Sequence, residues 1–515
     1  MAYLFSKFKA FRKRRPWLSE LFVFAAMFAI YFPLQQSKAF ADPDSFYHLK
    51  MAELIMTRGP IRDFPWMPYT TLARSFADHH FLYHVALIPF IKLMGPLAGM
   101  KLATATMSAF ALAALAWALR RLEIRFAVAA AIICGLMNPL VFRIGLSKAS
   151  AAGVALLIIG TALAIRRQSW ALGVVSFLYV WTHGGWPALL GLGTLAIIVV
   201  SWPENGDGFF VSLKKGLSPL AALWGGAVAG LVINPFFPQN LKFYWEQIVQ
   251  IAVVNYQNKI GVGTEWYPYP PGSLLAGLPL LAFGVVLCLI AFPHIVSRAD
   301  APHHRARLRI IIALSLAAGI FLMMTLRSRR HVEYFVPLAA AACAAWLSEI
   351  RIADLGTKAR RHLVALCLVA CAAASMLGVY AGRGIAKAKN DLAGGYAFTL
   401  YQKATAYLKT HTAPGEVVVH TDWDDMPPLF YWDDQNEYIM GLDPTFMYRA
   451  NPDRYWRYVN FTLGKTGDPA AVMDELKARY VISDLAHGDF DKMIEKNRRF
   501  ERVYADAEAE IYLLK

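Results

Sequence analysis

The sequence predicts a polytopic α-helical membrane protein of about eleven transmembrane helices, with a small extracytoplasmic α/β domain at its C-terminal end. Three observations predict it. Apolar residues make up 57% of the 515-residue chain, against roughly 45–50% in soluble proteins. They gather in runs close to the ~20 residues that a bilayer core requires. The formal net charge of +16 falls largely in short breaks between those runs, which is the habit of cytoplasmic loops and not of a nucleic-acid-binding surface.

The N-terminal block SKFKAFRKRRP is basic and precedes the apolar run Leu21–Leu34. No small-residue cleavage site follows, so this run reads as a retained first span. Further spans centre on Leu102–Leu119, Phe126–Leu140, Ala151–Ile165, Trp170–Val180, Ala188–Val200, Leu220–Ile233, Leu274–Ile290, Ile310–Thr325, Tyr334–Leu347 and Leu363–Ala381. Cys134, Cys288, Cys343, Cys367 and Cys371 all lie in apolar segments, as packing residues do, and no disulfide framework is implied.

Basic breaks assign the sides. Arg120–Arg125, Arg166 with Arg167, Lys214 with Lys215, Arg298–Arg309 and RIADLGTKARRH fall together on the cytoplasmic side if the N-terminus is inside. The opposite side then receives a first loop over 35–100, FRIGLSK, THGGW, a second long loop over 234–273, LRSRRHVE, and everything from Arg383. The expected division is a transmembrane domain over 1–382 and an extracytoplasmic domain over 383–515, in a bacterial inner membrane. In the first loop SFYHLKMAELIM has helical spacing, and FLYHVALIPFIKLMG suits an interfacial helix. In the tail, GEVVVHTDW and ARYVISD read as strands, DPAAVMDELK and FDKMIEKNRRF as helices, and RVYADAEAEIYLLK as a hairpin. No internal repeat is present, which argues against a transporter built on inverted repeats.

The outer loops hold the chemistry. Asp42 and Asp44 stand between the first span and a helix; Asp44 suits an N-cap, a cation ligand or a base. Glu265, among aromatics and prolines in the second long loop, would complete a carboxylate pair with Asp44, to hold a divalent cation such as Mg or Mn or to activate an acceptor. Asp78, His79 and His80, with His84 nearby, could extend a metal site or be ordinary polar structure. Arg327, Arg329 and Arg330 crowd the outer end of a span, with Arg143 and Lys148 in FRIGLSK. Cations placed against the positive-inside bias want an anionic partner, either lipid headgroups or a lipid-linked phosphate. His183, between Trp181 and Trp186, fits an interfacial belt or a sugar-binding surface.

DSFYHLK (Asp44–Lys50) resembles the first acidic motif of oligosaccharyltransferase catalytic subunits, within the GT-C class of polyprenyl-dependent glycosyltransferases. TEW (Thr264–Trp266) falls where that family carries a catalytic Glu. RHVEYFVP from Arg330 is similar to the span that meets the donor pyrophosphate, and HTDWDDMPPLFYW (His420–Trp432) is similar to the W-W-D-Y-G segment. The four stand in the family's order along nearly the whole chain. The resemblance implies a GT-C-like fold, acceptor and metal binding by Asp44 and Glu265, donor phosphate binding by Arg330, and acceptor reading by Trp423 and Asp424. The family's second acidic motif has no counterpart near SKASAAG, where Lys148 stands, and Asp422 replaces the first Trp of the acceptor motif.

The expected function is extracytoplasmic transfer of a sugar or oligosaccharide from a polyprenyl-phosphate or pyrophosphate carrier to an acceptor protein, lipid or glycan. The alternatives are a single-sugar transferase acting on lipid or polysaccharide, and a transporter or flippase for a lipid-linked anion.

Overall fold

The computed structural model describes residues 17–202, 209–270, 272–273, 285, 292, 302–349 and 363–515. The chain forms two compact units. One holds the helices of the apolar sequence; the other gathers Lys38–Met100, Val232–Trp266 and Gly394–Lys515. The two long loops and the tail are thus parts of one unit.

In the helical unit the predicted spans appear as helices Leu18–Leu34, Pro96–Arg121, Ser150–Ile165, Ser169–Thr182, Pro187–Val200, Phe209–Val232, Pro302–Arg327, Val332–Ser348 and Leu363–Ala393. Among the described residues, three segments, Pro96–Arg121, Lys214–Val232 and His304–Arg327, are long and apolar enough to cross a membrane. Several others are apolar but only 14–17 residues long. The predicted span Phe126–Leu140 is broken into helices Ala127–Gly135 and Asn138–Gly145, bent by 74°. Pro139 explains the break, since it lacks an amide hydrogen and suits the first turn of a new helix. The predicted span Leu274–Ile290 and the break RIADLGTKARRH lie outside the described residues, apart from Val285.

Small residues let these helices approach. A Cβ on Gly226 would stand only 2.2 Å from the Gly173 carbonyl oxygen, so glycine is required where Ser169–Thr182 meets Phe209–Val232. Neither Cys134, which is buried, nor Cys343 forms a disulfide.

The second unit opens with β1 (Ala39–Phe40), which pairs antiparallel with β2 (Tyr396–Ala397). Its sheet comprises β3 (Val417–His420), β4 (Glu437–Tyr438), β5 (Ala478–Ser483), β6 (Phe500–Ala505) and β7 (Glu510–Leu514), in the order β4-β3-β5-β7-β6. β3 is the apolar run VVVH and is buried throughout, as expected of a central strand with parallel neighbours on both sides. The closing hairpin β6–β7 is antiparallel. The predicted tail helices appear as Pro469–Glu475 and Gly488–Glu495.

Helix Asp44–Arg58 is fixed to the tail by charge and by stacking. Lys50 Nζ and the Arg58 guanidinium each lie 3.1 Å from an oxygen of Asp434. Phe46 stacks on Phe398 at 6.1 Å, and its buried ring adds apolar area to the same core.

Candidate functional site

In the helical unit the arginines divide by task. Arg143, in the last turn of Asn138–Gly145, is buried and directs Nε and Nη2 to Glu333 Oε2 at 3.0 and 2.9 Å. Glu333 is fully buried in the first turn of Val332–Ser348, and its Oε1 has no hydrogen-bond partner among the described residues. Glu333 escaped sequence reasoning. Its signal was an acid set directly behind three arginines at a span entrance, in RSRRHVE.

Arg329 holds the segment that follows Glu265. Its backbone N–H donates to Tyr267 O at 3.0 Å, its guanidinium donates to Pro268 O at 3.2 Å, and the same group sits 5.8 Å from the Tyr269 ring. Burial raises the Tyr269 hydroxyl, while Arg143 and Arg329 pull it back, so these side chains share one electrostatic neighbourhood. Arg330 shares the 3-10 turn Arg329–His331 and is half-buried, whereas Arg327 is exposed. Burial, then the charge of Arg330, pushes His331 down to about 4. Lys148 is half-buried beside the Ser147–Thr104 hydroxyl pair. His183 is buried, and its Nδ1 accepts from the Gly185 amide at 2.8 Å.

In the second unit Asp44 is the first residue of its helix, and the cap role expected of it falls to Asp42. Asp42 Oδ1 accepts the Asp44 amide at 3.0 Å, and Pro43 occupies the N-cap position. Pro43 shifts the helix start by one residue, because proline suits a first turn but offers no capping oxygen. His48, one turn beyond Asp44, brings Nδ1 within 2.8 Å of His84 Nε2, and His84 Nδ1 lies 2.7 Å from Asp78 Oδ2. Asp78 Oδ1 accepts the His80 amide at 3.0 Å. His79 packs on Phe243 at 5.1 Å.

Glu265 lies on the 3-10 turn Thr264–Trp266. A Cβ on Gly263 would stand 3.8 Å from the Trp423 ring and 3.9 Å from Glu265 Cγ. The structure therefore brings Trp423 beside the loop that carries Glu265. Trp423, Asp424 and Asp425 form a short 3-10 turn capped by Asp422, immediately after β3. The strand order reverses between β3 and β5, and the carboxyl ends of strands at such a switch point are where open α/β sheets bind ligands. Tyr401 donates to Asp425 Oδ1 at 2.6 Å. Burial, then Asp484, holds the Asp425 carboxyl well above its usual range. Tyr396 lies 3.5 Å from Asp424 Oδ2, and burial followed by Asp424, Asp422 and Asp42 raises its hydroxyl strongly.

Among the described residues, no three His, Cys, Asp or Glu side chains gather as a set able to hold a metal ion. Asp78 spends its two oxygens on His84 and on the His80 amide. With both oxygens so engaged, Asp78 is a poor candidate ligand for the expected Mg or Mn ion.

The carboxyl end of β5 offers a pH-dependent contact. His487 Nδ1 lies 2.7 Å from Asp484 Oδ1. That hydrogen bond raises His487 above 6.5. Burial alone would raise Asp484, but His487 brings it below its ordinary value. The His487 contribution is complete below about pH 6.5 and fades as the pH rises through its raised value. His487→Gln should therefore cost about 0.5–1 kcal/mol at pH 6 and nothing at pH 9, as measured by thermal unfolding. An equal loss at both pH values would refute the linkage.

The sequence matches no protein-family profile and no curated protein. Solved structures do share its fold. The arabinofuranosyltransferase AftD from Mycobacteria superposes with a TM-score of 0.60 at 15% identity, over 96% of this chain and 40% of that one. The chain thus spans about two fifths of AftD's length. ArnT from Cupriavidus metallidurans, solved bound to undecaprenyl phosphate, superposes with a TM-score of 0.54 at 14% identity, over 96% of this chain and 97% of that one. The likeness is one of fold, and it extends through the helices and the sheet alike.

Proposed function

We propose that the protein is an integral membrane glycosyltransferase that moves a sugar from a polyprenyl-phosphate or pyrophosphate carrier to an acceptor on the extracytoplasmic side. The observation that carries the reading is the whole-length fold likeness to ArnT, a protein solved with undecaprenyl phosphate bound. The arginines at the span entrance support it, since a guanidinium fork matches phosphate oxygens. By the resemblance of RHVEYFVP, the donor phosphate is assigned to Arg330, on the turn ahead of Val332–Ser348, with Arg327 and Lys148 as further cations. Asp44 and Glu265 orient the acceptor. On attack, the bond from the acceptor atom to C1 forms, the bond from C1 to the phosphate oxygen breaks, and the phosphate leaves on its polyprenyl chain. Lipid lies on the donor side of this reaction; nucleic acid has no part in it.

The test is turnover of undecaprenyl-phosphate sugars by the purified protein in lipid nanodiscs; release of undecaprenyl phosphate supports the reading, and its absence with every sugar tried refutes it. Arg330→Ala should raise the donor KM about tenfold or more, with lysine a poor replacement because it lacks the fork. Unchanged donor binding would assign the arginines to headgroups.

A second reading, oligosaccharide transfer to protein as in oligosaccharyltransferases, is favoured by Trp423 standing against the Glu265 loop. Mass spectrometry of glycoproteins and lipid-linked intermediates in a deletion strain separates the two readings.

A further inference from the structure

In the second unit Glu246 is buried while the tryptophan before it is exposed, an inversion that glycosyl transfer does not explain. Helix Gln239–Tyr244 continues as a π-helix over Trp245–Val254. Its inner side is fixed to the tail: Phe243 stacks on Phe446 at 6.3 Å, Gln250 Oε1 accepts from the Arg449 guanidinium at 2.9 Å, and Arg449 Nε lies 3.4 Å from Glu246 Oε1. Its outer side is apolar. Trp245 is 59% and Val253 62% exposed, with Leu241 and Val254 exposed beside them. Leu241, Trp245, half-buried Val249 and Val253 follow one another at four-residue intervals, and the exposed Ile233 and Phe237 lead up to them at the same interval. On an α-helix, with about 3.6 residues per turn, such a row winds off to one side; the wider π turn, closed by i→i+5 bonds, keeps it nearly in line. A contiguous exposed apolar row of this kind marks a contact surface.

Chain continuity and charge name the occupant. Ile233 directly follows Lys214–Val232, a segment long and apolar enough to cross a membrane. The next residues form a tight turn, closed by the Phe237 N–H on Asn234 O at 3.0 Å, so the chain doubles back as soon as that segment ends. From 233 to 264 the one acid is Glu246, which faces inward, whereas Lys242 and Lys259 are exposed. Cations beside an apolar face with a tryptophan suit lipid phosphates at an interface. Another junction of the same unit repeats the pattern: Leu93 and Met94 are exposed just ahead of Pro96–Arg121. We propose that the row Leu241, Trp245, Val249 and Val253 docks the second unit on the extracytoplasmic leaflet of the membrane, with the apolar side chains at the boundary of headgroups and acyl chains and Lys242 at the lipid phosphates. The inference rests on the membrane reading of the chain and not on the transfer chemistry. Its consequence reaches Glu265, a short way beyond Val254 on the same loop: a helix seated among the headgroups keeps that loop at the level of the membrane surface.

Photocrosslinking tests the docking. Benzoylphenylalanine replaces Leu241, Trp245, Val253 or Gln247 in turn, in the full-length protein in vesicles of phosphatidylcholine and phosphatidylglycerol, and the adducts are identified by mass spectrometry. The three apolar positions should yield lipid adducts. Gln247, half a turn from Trp245 and half-buried, should yield none. Leu241→Gln combined with Val253→Gln should abolish the adduct at position 245 and leave the unfolding midpoint in detergent unchanged, because both side chains are exposed. Where that variant unfolds early, the four-position scan decides alone. Adducts to a second copy of the chain in place of lipid, equal lipid labelling at all four positions, or no lipid adduct at the three apolar positions overturns the proposal, and so does an undiminished adduct in the folded double variant. Donor turnover is followed separately in the same vesicles. A protein that labels lipid through position 245 but releases no undecaprenyl phosphate refutes the transfer reading and leaves the docking standing.

Discussion

Glu333→Ala should cost the helical unit about 3–5 kcal/mol, enough to prevent the protein from accumulating in the membrane. The reason is the charge left behind. Arg143 is buried and places both Nε and Nη2 on one Glu333 oxygen, so removing the carboxylate takes this ion pair from a guanidinium largely withdrawn from water. Removing both charges should be far milder. Arg143→Met combined with Glu333→Leu should recover most of the loss, because hydrophobic replacements of similar volume often equal or exceed a buried pair. Thermal unfolding of the detergent-solubilised variants measures both effects, with the coupling read from the double-mutant cycle. A Glu333→Ala protein as stable as wild type would mean that Arg143 has another counter-charge and that the pair is incidental.

The second large effect is on turnover. Asp44→Asn should lower kcat about a hundredfold or more while leaving folding and donor binding intact. The position of Asp42 sharpens this expectation. Since Asp42 supplies the oxygen that accepts the Asp44 amide, the helix start does not depend on an Asp44 cap, and asparagine keeps the size and shape of aspartate. Asp42→Ala, by contrast, should cost about 1 kcal/mol of stability. Glu265→Gln should resemble Asp44→Asn in rate, and the double variant should be little worse than either single, as for residues acting as a unit. Full turnover in folded Asp44→Asn protein would remove Asp44 from the chemistry.

Much of the tail was legible because its elements are locally determined. The run VVVH and the alternation in ARYVISD give strands β3 and β5, and the helix in DPAAVMDELK starts and stops near its predicted limits, whereas the one in FDKMIEKNRRF ends at Glu495, ahead of the strand that opens at Phe500. The spans were legible as helices, but less so as crossings. Composition does not reveal that Asn138 and Pro139 open a new helix at 74° to the last, and a run of 14 apolar residues looks alike whether it spans or stops short. As candidates, Asp44 and Glu265 could be singled out by position in the long loops, and Trp423 by resemblance. Pairings could not be. Nothing in the sequence spacing tells Arg143 that Glu333 is its partner 190 residues away, or joins Asp78 to His48 through His84. Hydrogen-bond partners are set by tertiary approach, which has no period to read.

The second unit has a consequence for the making of the protein. Ala39 pairs with Ala397, and at about 5–20 residues per second the ribosome makes that partner roughly 20–70 s after Ala39 itself. Through that interval the first loop cannot complete its fold: the edge of β1 is open, and Phe46 has no Phe398 to stack on. The loop is exposed to chaperones and proteases until the last quarter of the chain arrives. A frameshift or nonsense lesion ahead of Tyr396 would therefore act at a distance, turning the loop that carries Asp44, far upstream of the lesion, into a degradation signal.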